Sequence, residues 1–133
     1  MVGMYRRTGG RIGGRVGSTP VLLLTTTGRK SGLPHTVPIG YFDRGEERFV
    51  VASNAGAPRD PAWYLNLVAH PEVRVEAGRD AYTAIATPAT GEERMELWNY
   101  LMETAPSYRR YQRAAREIPL VLLHRTESTI GTD

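Results

Sequence analysis

Residues 20–32 read Pro20-Val-Leu-Leu-Leu-Thr-Thr-Thr-Gly-Arg-Lys-Ser-Gly32, and this stretch decides the fold. An apolar run followed by three threonines is typical of a β-strand that is buried on both faces. Gly28 ends this strand, and a basic turn flanked by glycines follows it. Working outward from this strand, the sequence predicts five more, over residues 36–42, 48–53, 73–76, 81–87 and 119–123. Pro38 interrupts the second strand, which indicates a sheet edge or a bulge there.

Helices are predicted between these strands. Asp60 before Pro61 is an N-cap signature and starts a helix over residues 62–69. Thr90 and Glu93 form a capping-box pattern that starts a helix ending near Thr104. Further helical segments are predicted over residues 4–8 and 106–117.

The order of these elements is a β-hairpin, a helix, a second hairpin, helices and a last strand. Hairpin connections imply an antiparallel sheet, and about six strands with one buried on both faces favour closure into a small barrel. The predicted class is α+β, with about six mostly antiparallel strands and three to four helices. We expect a flexible basic lead-in over residues 1–19, one domain over residues 20–127, and a tail over residues 128–133.

The composition restricts the function. The chain has 133 residues, which fits one domain, and it has no cysteine, which excludes disulfides and thiolate chemistry. Its three histidines are isolated in the sequence, so no metal site is expected. No apolar run approaches the length of a membrane-spanning helix, and the first residues lack a signal-peptide core. The sequence predicts a soluble cytoplasmic protein.

The formal charge of +3 comes from the beginning of the chain. No acidic residue precedes Asp43, whereas residues 1–42 hold Arg6, Arg7, Arg11, Arg15, Arg29 and Lys30. This one-sided charge implies an anionic partner, and nucleic acid, a membrane surface or a phosphorylated cofactor all qualify. For Arg6 to Arg15, a solvated basic tail is an equal alternative.

Four segments carry candidate chemistry. In Gly28–Gly32, glycines allow backbone N–H groups to converge on an anion, and Arg29, Lys30 and Ser31 add donors; an exposed basic turn is the alternative. Small residues in Ala52–Pro58 would let a flat ring approach the backbone, or would simply connect a strand to a helix. In Pro61–Leu67, Trp63 and Asn66 share a helix face, where Trp63 could belong to the core. Tyr108 and Tyr111 could wall a pocket or pack on the barrel.

Together these motifs are recognisable. Leu22-Leu-Leu-Thr-Thr-Thr-Gly-Arg-Lys-Ser-Gly32, Ala52-Ser-Asn54, Pro61-Ala-Trp-Tyr-Leu-Asn-Leu67 with His70-Pro71, and Pro106-Ser-Tyr-Arg-Arg-Tyr-Gln112 with Ile118-Pro119 stand in this order. They resemble the deazaflavin-dependent nitroreductase family over nearly the whole chain from Met4. The resemblance implies a split β-barrel of the FMN-binding split barrel type that binds coenzyme F420 and transfers hydride to an electron-poor substrate, such as an activated C=C, a quinone or a nitroaromatic compound.

The resemblance also implies roles for individual residues. The phosphate and glutamate tail of F420 would contact Arg29, Lys30 and Ser31, and the coenzyme would continue along His35, Thr36, Val37, Pro38, Ile39 and Gly40. The deazaflavin ring would contact Val51, Ala52, Ser53 and Asn54, and the pocket would be completed by Ala62, Trp63, Tyr64, Leu65 and Asn66. Ser53, Tyr108 and Tyr111 would face the substrate as catalytic groups.

The chain departs from the family pattern at several of these positions. His35 stands where arginine is common and Asn54 where lysine is common, which lowers the positive charge offered to the tail; Arg59 is a candidate for compensation. Ala105 stands where some members have a further tyrosine, so their substrate range does not transfer.

Two other classes remain open. The same architecture could hold FMN or another flavin instead of F420. A non-enzymatic module that grips nucleic acid through the basic block is the other class, but aromatic residues are not interleaved with that block beyond Tyr5, so no nucleic-acid partner is expected. The sequence leaves the oligomeric state open, with a homodimer as one alternative.

Overall fold

The computed structural model describes residues 2–11, 13–114 and 116–126. In these ranges the strands are β1 (Arg15–Val16), β2 (Thr19–Thr27), β3 (Pro34–Arg44), β4 (Glu47–Val51), β5 (Glu72–Ala77), β6 (Asp80–Pro88) and β7 (Leu120–Arg125). The α-helices are α1 (Val2–Thr8), α2 (Ala62–Ala69) and α3 (Gly91–Thr104). Two 3-10 segments cover Asn54–Gly56 and Pro106–Arg113.

Six of these strands form a closed barrel. The order of hydrogen-bonded neighbours is β2-β3-β4-β7-β6-β5, and β5 pairs with β2 to close the ring. Every pairing is antiparallel, which confirms the predicted α+β split barrel. The short strand β1 pairs with the start of β2 and was not predicted, because two residues carry no recognisable period.

Strand β2 is buried on both faces, as predicted from its apolar run. Side chains alternate between the faces of a strand, and Leu22 and Leu24 lie inside the barrel with Val73, Val75 and other apolar residues. Val21 and Leu23 lie on the outside, where they pack against Tyr5 of α1. The opening strand therefore supports two separate clusters.

Helix α2 packs against the barrel interior. Leu67 is buried among the interior residues, and Trp63 and Tyr64 pack on the same cluster. The prediction that Asp60 caps this helix was wrong: the N-cap position is Pro61, without a side-chain cap bond. The Asp60 carboxylate instead pairs with Arg116 at 2.6 Å, an interaction with a charged partner that replaces a local cap.

A third cluster, here called the outer cluster, covers the outer face of β3, β4 and β7. Phe42 and Phe49 pack there with Leu97 and Leu101 of α3. Thr90 is the N-cap residue of α3, but the predicted capping box is not formed, because its side chain makes no cap hydrogen bond.

The helix predicted over residues 106–117 is a 3-10 segment that ends at Arg113. The backbone turns extended at Ala114, which lets Ile118 reach the outer cluster, where it is 1% exposed. The packing of Ile118 therefore accounts for a helical segment that is shorter than its sequence pattern predicts.

Two remaining predictions concern the chain as a whole. The boundaries at residues 19 and 127 stay predictions, and the tail over residues 128–133 lies outside the described residues.

Within the predicted lead-in, α1 packs on the barrel through Tyr5, whose side chain is 1% exposed. No helix in the described ranges is both long and apolar enough to cross a membrane.

Candidate functional site

The basic turn after β2 is a tight loop that depends on glycine. The Gly28 N–H donates to the Leu33 carbonyl and the Gly32 N–H donates to the Gly28 carbonyl, both at 2.8 Å. A Cβ at position 28 would stand 2.6 Å from Ser31 Oγ and 2.7 Å from His35 Nε2. Any larger residue at position 28 would therefore displace Ser31, which is predicted to bind the phosphate, and His35, which is predicted to line the coenzyme.

Asn66 holds Arg29 in this turn. Its Oδ1 accepts hydrogen bonds from the backbone N–H and from Nη1 of Arg29, each at 3.1 Å. Its Nδ2 donates to Thr26 Oγ1 at 3.2 Å. Asn66 is buried, and its amide has its hydrogen-bond partners within the protein. In this arrangement Asn66 orients the cationic turn.

The turn opens into a cleft of about 350 Å³ that runs to α2. Lys30 is exposed at this cleft and makes no hydrogen bond or ion pair with the described residues. Its ammonium group is thus available to an anion. The lining residues are Gly28, Arg29, Lys30, Ser31, His35, Val37, Ala62, Trp63 and Asn66.

Strand β3 leads away from this cleft with one open edge. From Pro34 to Gly40 it pairs with β2, whereas its pairing with β4 begins at Tyr41. The predicted edge at Pro38 is therefore confirmed. At the far end of this open edge, a Cβ on Gly40 would lie 3.7 Å from the Tyr108 hydroxyl. The open edge runs from the cationic turn to Tyr108, one of the two tyrosines predicted to face the substrate.

The segment after β4 continues from the strand that pairs with β3 beyond this open edge. Val51 and Ala52 are buried by protein, Ser53 is half-buried and Asn54 is exposed. Asn54 and Ala55 have positive φ values of 49° and 54°, which is unusual for residues other than glycine. The Asn54 Nδ2 donates to the Arg59 carbonyl at 2.9 Å, so this side chain closes its own loop.

Tyr108 and Tyr111 pack against each other and against the outer cluster. Their ring centroids are 5.6 Å apart in an edge-to-face arrangement, and Phe42 contacts Tyr108 in the same way. Burial raises the pKa of Tyr108 above its ordinary value, and the neighbouring Tyr111 raises it further. The Tyr111 hydroxyl accepts a hydrogen bond from Arg110 at 2.8 Å. Tyr108 therefore stays protonated well beyond neutral pH.

Several predicted residues lie outside the cleft lining. Thr36 shares a hydroxyl hydrogen bond with Thr25 at 2.7 Å, and Leu65 is exposed on α2. Ile39 and Tyr64 pack on the interior cluster. Pro38 and Gly40 alternate with these inward residues along β3 and so lie on its outer face.

Arg116 was missed by the sequence reasoning, although Ile118-Pro119 beside it was part of the recognised motif. Its guanidinium contacts the segment that follows β4. These partners lie 56 to 64 residues earlier in the chain, so no local pattern signals the contact.

Comparisons with known proteins identify the family of this chain. The model of the F420H2-dependent quinone reductase family matches residues 1–125. An F420H2-dependent quinone reductase of Mycobacterium tuberculosis strain H37Rv is 41% identical over 127 residues, which covers 92% of this chain and 85% of that protein. The chain belongs to the F420H2-dependent quinone reductase family. Family membership makes it a deazaflavin-dependent oxidoreductase with coenzyme F420 as its cofactor.

Solved structures of family relatives share the fold. An F420H2-dependent reductase superposes with a TM-score of 0.71 at 36% identity, covering 79% of this chain and 94% of that chain. A second relative, described as a domain-swapped dimer, has the same score and identity and covers 79% of this chain and 80% of its own. Both likenesses confirm the split-barrel fold.

Proposed function

We propose that this F420H2-dependent reductase transfers hydride to a quinone or a similarly electron-poor compound, with the coenzyme tail in the cleft at the basic turn. The observation that carries this proposal is the continuous cleft from Lys30 to Trp63. Arg29, Lys30 and Ser31 provide donors for a phosphate or carboxylate group, which is the chemistry of the tail.

The residues fit the coenzyme tail by charge. Lys30 has no partner among the described residues, and the missing Cβ at Gly28 lets Ser31 and His35 approach the backbone of the turn. When bound, the reduced deazaflavin supplies hydride, so the protein needs to bind, orient and exclude water. The open edge of β3 from Pro34 to Gly40 offers unpaired backbone groups to the rest of the coenzyme.

Ser53 and Tyr108 are the proposed donors to the substrate. Hydride addition to a quinone leaves negative charge on its oxygen, and a proton completes the hydroquinone. A hydroxyl group near that oxygen would stabilise the charge. Because burial raises the pKa of Tyr108, its hydroxyl keeps its proton at neutral pH and can donate a hydrogen bond throughout that range. Tyr111 would act mainly by holding the Tyr108 ring.

The test is a binding titration with oxidised F420, followed by steady-state assays of F420H2 oxidation with quinones, enones and nitroaromatic compounds. Lys30→Ala should raise the dissociation constant roughly 10- to 150-fold, because a charged hydrogen bond contributes about 1.5–3 kcal/mol. Unchanged affinity in this variant would contradict the proposed position of the tail.

Two further variants, Ser53→Ala and Tyr108→Phe, test the proposed hydrogen-bond donors to the substrate. Each should lower kcat with little effect on F420 affinity, since these groups are proposed to act on the substrate. Full turnover in both variants would show that neither hydroxyl has the proposed role.

FMN is the alternative cofactor, and titrating both compounds under the same conditions distinguishes the two. Tighter binding of FMN than of F420 would overturn the assignment of the tail site.

A homodimer is proposed by analogy with the relative described as a domain-swapped dimer, and sedimentation velocity tests it.

A further inference from the structure

Arg116 makes four hydrogen bonds to one short segment of the chain. Nε donates to the Ala57 carbonyl at 3.0 Å, and Nη1 donates to Asp60 Oδ1 at 2.6 Å. Nη2 donates to the carbonyls of Ala52 and Ser53, at 3.3 and 2.9 Å. The Arg116 side chain is 15% exposed, so these bonds are formed mostly away from water.

The segment that it holds has an unfavourable backbone conformation. Asn54 and Ala55 both have left-handed φ values, and Ala55 gains nothing from its side chain there. Its local restraints are three hydrogen bonds: the Gly56 N–H donates to the Ser53 carbonyl, the Ala57 N–H to the Asn54 carbonyl, and the Asn54 Nδ2 to the Arg59 carbonyl. A conformation of this kind persists where surrounding structure holds it in place.

We propose that Arg116 is the positioning residue that fixes Ser53 and Asn54 for the coenzyme ring and the substrate, an inference that rests on the proposed function. The planar guanidinium matches acceptors on several sides at once. A lysine ammonium could pair with Asp60 but could not reach the carbonyls of Ala52, Ser53 and Ala57 together. The planar, forked shape of the guanidinium, and not its charge alone, fixes the backbone conformation of the segment.

Arg116 also ties this segment to the tyrosines. It follows the 3-10 segment that carries Tyr108 and Tyr111, and the Tyr111 ring lies close to Gly56, where an added Cβ would be 3.4 Å away. The proposed ring-facing and substrate-facing groups are therefore held as one unit. Displacement of one should displace the other.

Arg94 provides a matched control. It is a similarly buried arginine, 17% exposed, and lines the same surface cleft as Arg116. It donates to the Ile118 carbonyl at 2.7 Å and pairs with Glu117, but no hydrogen bond joins it to the 52–60 segment. Arg94→Ala removes the same charge from the same cleft without removing a hydrogen bond to that segment.

The first measurement is amide hydrogen exchange in the protein without coenzyme, because it reports the segment independently of any activity. In Arg116→Ala the exchange of the hydrogen-bonded Gly56 and Ala57 amides should rise about tenfold or more, and in Arg94→Ala it should stay near the wild-type rate. Unchanged exchange in Arg116→Ala, or an equal rise in both variants, would overturn the proposal.

The second measurement is the split between coenzyme binding and turnover. In Arg116→Ala, kcat should fall about 10- to 100-fold at saturating F420H2, because small displacements of reacting groups have effects of this size. F420 affinity should change little, since the basic turn is untouched. Arg116→Lys should resemble Arg116→Ala, and full activity in Arg116→Lys would overturn the role of the guanidinium fork.

Chemical rescue completes the test. Arg116 borders an open cleft of about 540 Å³, so added guanidinium, well below denaturing concentrations, can enter the space left by Arg116→Ala. It should restore part of kcat in that variant but not in Arg94→Ala, and absence of rescue in a folded Arg116→Ala protein counts against the proposal. If wild-type protein does not oxidise F420H2 while the exchange results hold, the proposed function fails and the positioning of the segment stands.

Discussion

Asn66 shows how a single buried amide can control a binding turn. Its oxygen holds both the backbone and the side chain of Arg29, and its nitrogen holds Thr26. Asn66→Leu would leave these groups unpaired, so the free energy of unfolding should fall by about 1–3 kcal/mol and F420 affinity should fall with it.

Asn66→Asp separates the two effects. It keeps the acceptor for Arg29 but adds a negative charge that opposes an anionic tail. The buried carboxylate also lacks the donor to Thr26, so stability should fall, but its pairing with Arg29 should keep this fall below that in Asn66→Leu. F420 binding should weaken more than in Asn66→Leu, measured by fluorescence titration and urea unfolding. If Asn66→Asp binds F420 as tightly as wild type, the tail does not lie beside Arg29.

Tyr5 is a second single residue with a measurable effect. Its hydroxyl lies 2.9 Å from the Val21 carbonyl and accepts from the Gly78 N–H at 2.8 Å. Tyr5→Phe leaves the Gly78 N–H without this partner, and the free energy of unfolding should fall by about 1–3 kcal/mol. Burial also raises the pKa of Tyr5.

The raised pKa fixes the sign of a pH effect. The protonated phenol is favoured in the folded state, so its stabilisation is complete below pH about 10 and is lost as the pH rises through the folded-state pKa. Urea unfolding from pH 8 to 11 should show a smaller loss in Tyr5→Phe than in wild type. Parallel curves for the two proteins would contradict this.

At the scale of elements, the 3-10 segment Asn54–Gly56 combines backbone strain with a side-chain contact. Gly56 has φ 81°, and an added Cβ would lie 3.4 Å from Tyr111. Gly45, in the β3–β4 turn, has φ 61° and open space around it. Alanine at either position should cost about 1–2 kcal/mol of stability, because left-handed φ disfavours a Cβ.

The two glycine variants should differ in activity. Gly56→Ala should also lower kcat, because it pushes on the Tyr111 ring, whereas Gly45→Ala should keep the wild-type kcat. Equal kcat values in folded samples of both variants would show that the position of the Tyr111 ring does not affect the reaction.

Which elements could be predicted from the sequence depends on how local their determinants are. Strand β2 and the Gly28–Gly32 turn were predicted because an apolar run, threonines and glycines lie side by side. The contact of the Asp60 carboxylate was not predicted, because it pairs with the distant Arg116 and does not cap the helix that its neighbours indicated. The positions of Tyr5 and Arg116 depend on partners more than fifty residues away or on another strand, which a single sequence does not reveal.

At the scale of the whole molecule, the positive charge is divided between two places. Tyr5 anchors α1 near Val21, while the basic turn begins at Gly28, about 23 Å further along β2 at 3.3 Å per residue. This distance exceeds two Debye lengths at physiological salt. The N-terminal arginines and Lys30 therefore act on separate regions of the surface.

A triple variant tests this division. Arg7→Ala, Arg11→Ala and Arg15→Ala together should leave the F420 dissociation constant within about twofold at 0.15 M salt, because their charges are screened from the cleft. Lys30→Ala, with a single charge removed, should have the larger effect. A triple variant that loses as much affinity as Lys30→Ala would place the coenzyme tail nearer to α1.

The position of β7 has a consequence for how the molecule assembles. It is the last strand of the described chain, yet it lies between β4 and β6 and pairs with both. A nascent polypeptide that has not reached Leu120 would hold one open sheet, in the order β4-β3-β2-β5-β6, with unpaired edges on β4 and β6. The enzyme should accordingly acquire its tertiary structure after, and not during, synthesis of its first hundred or so residues.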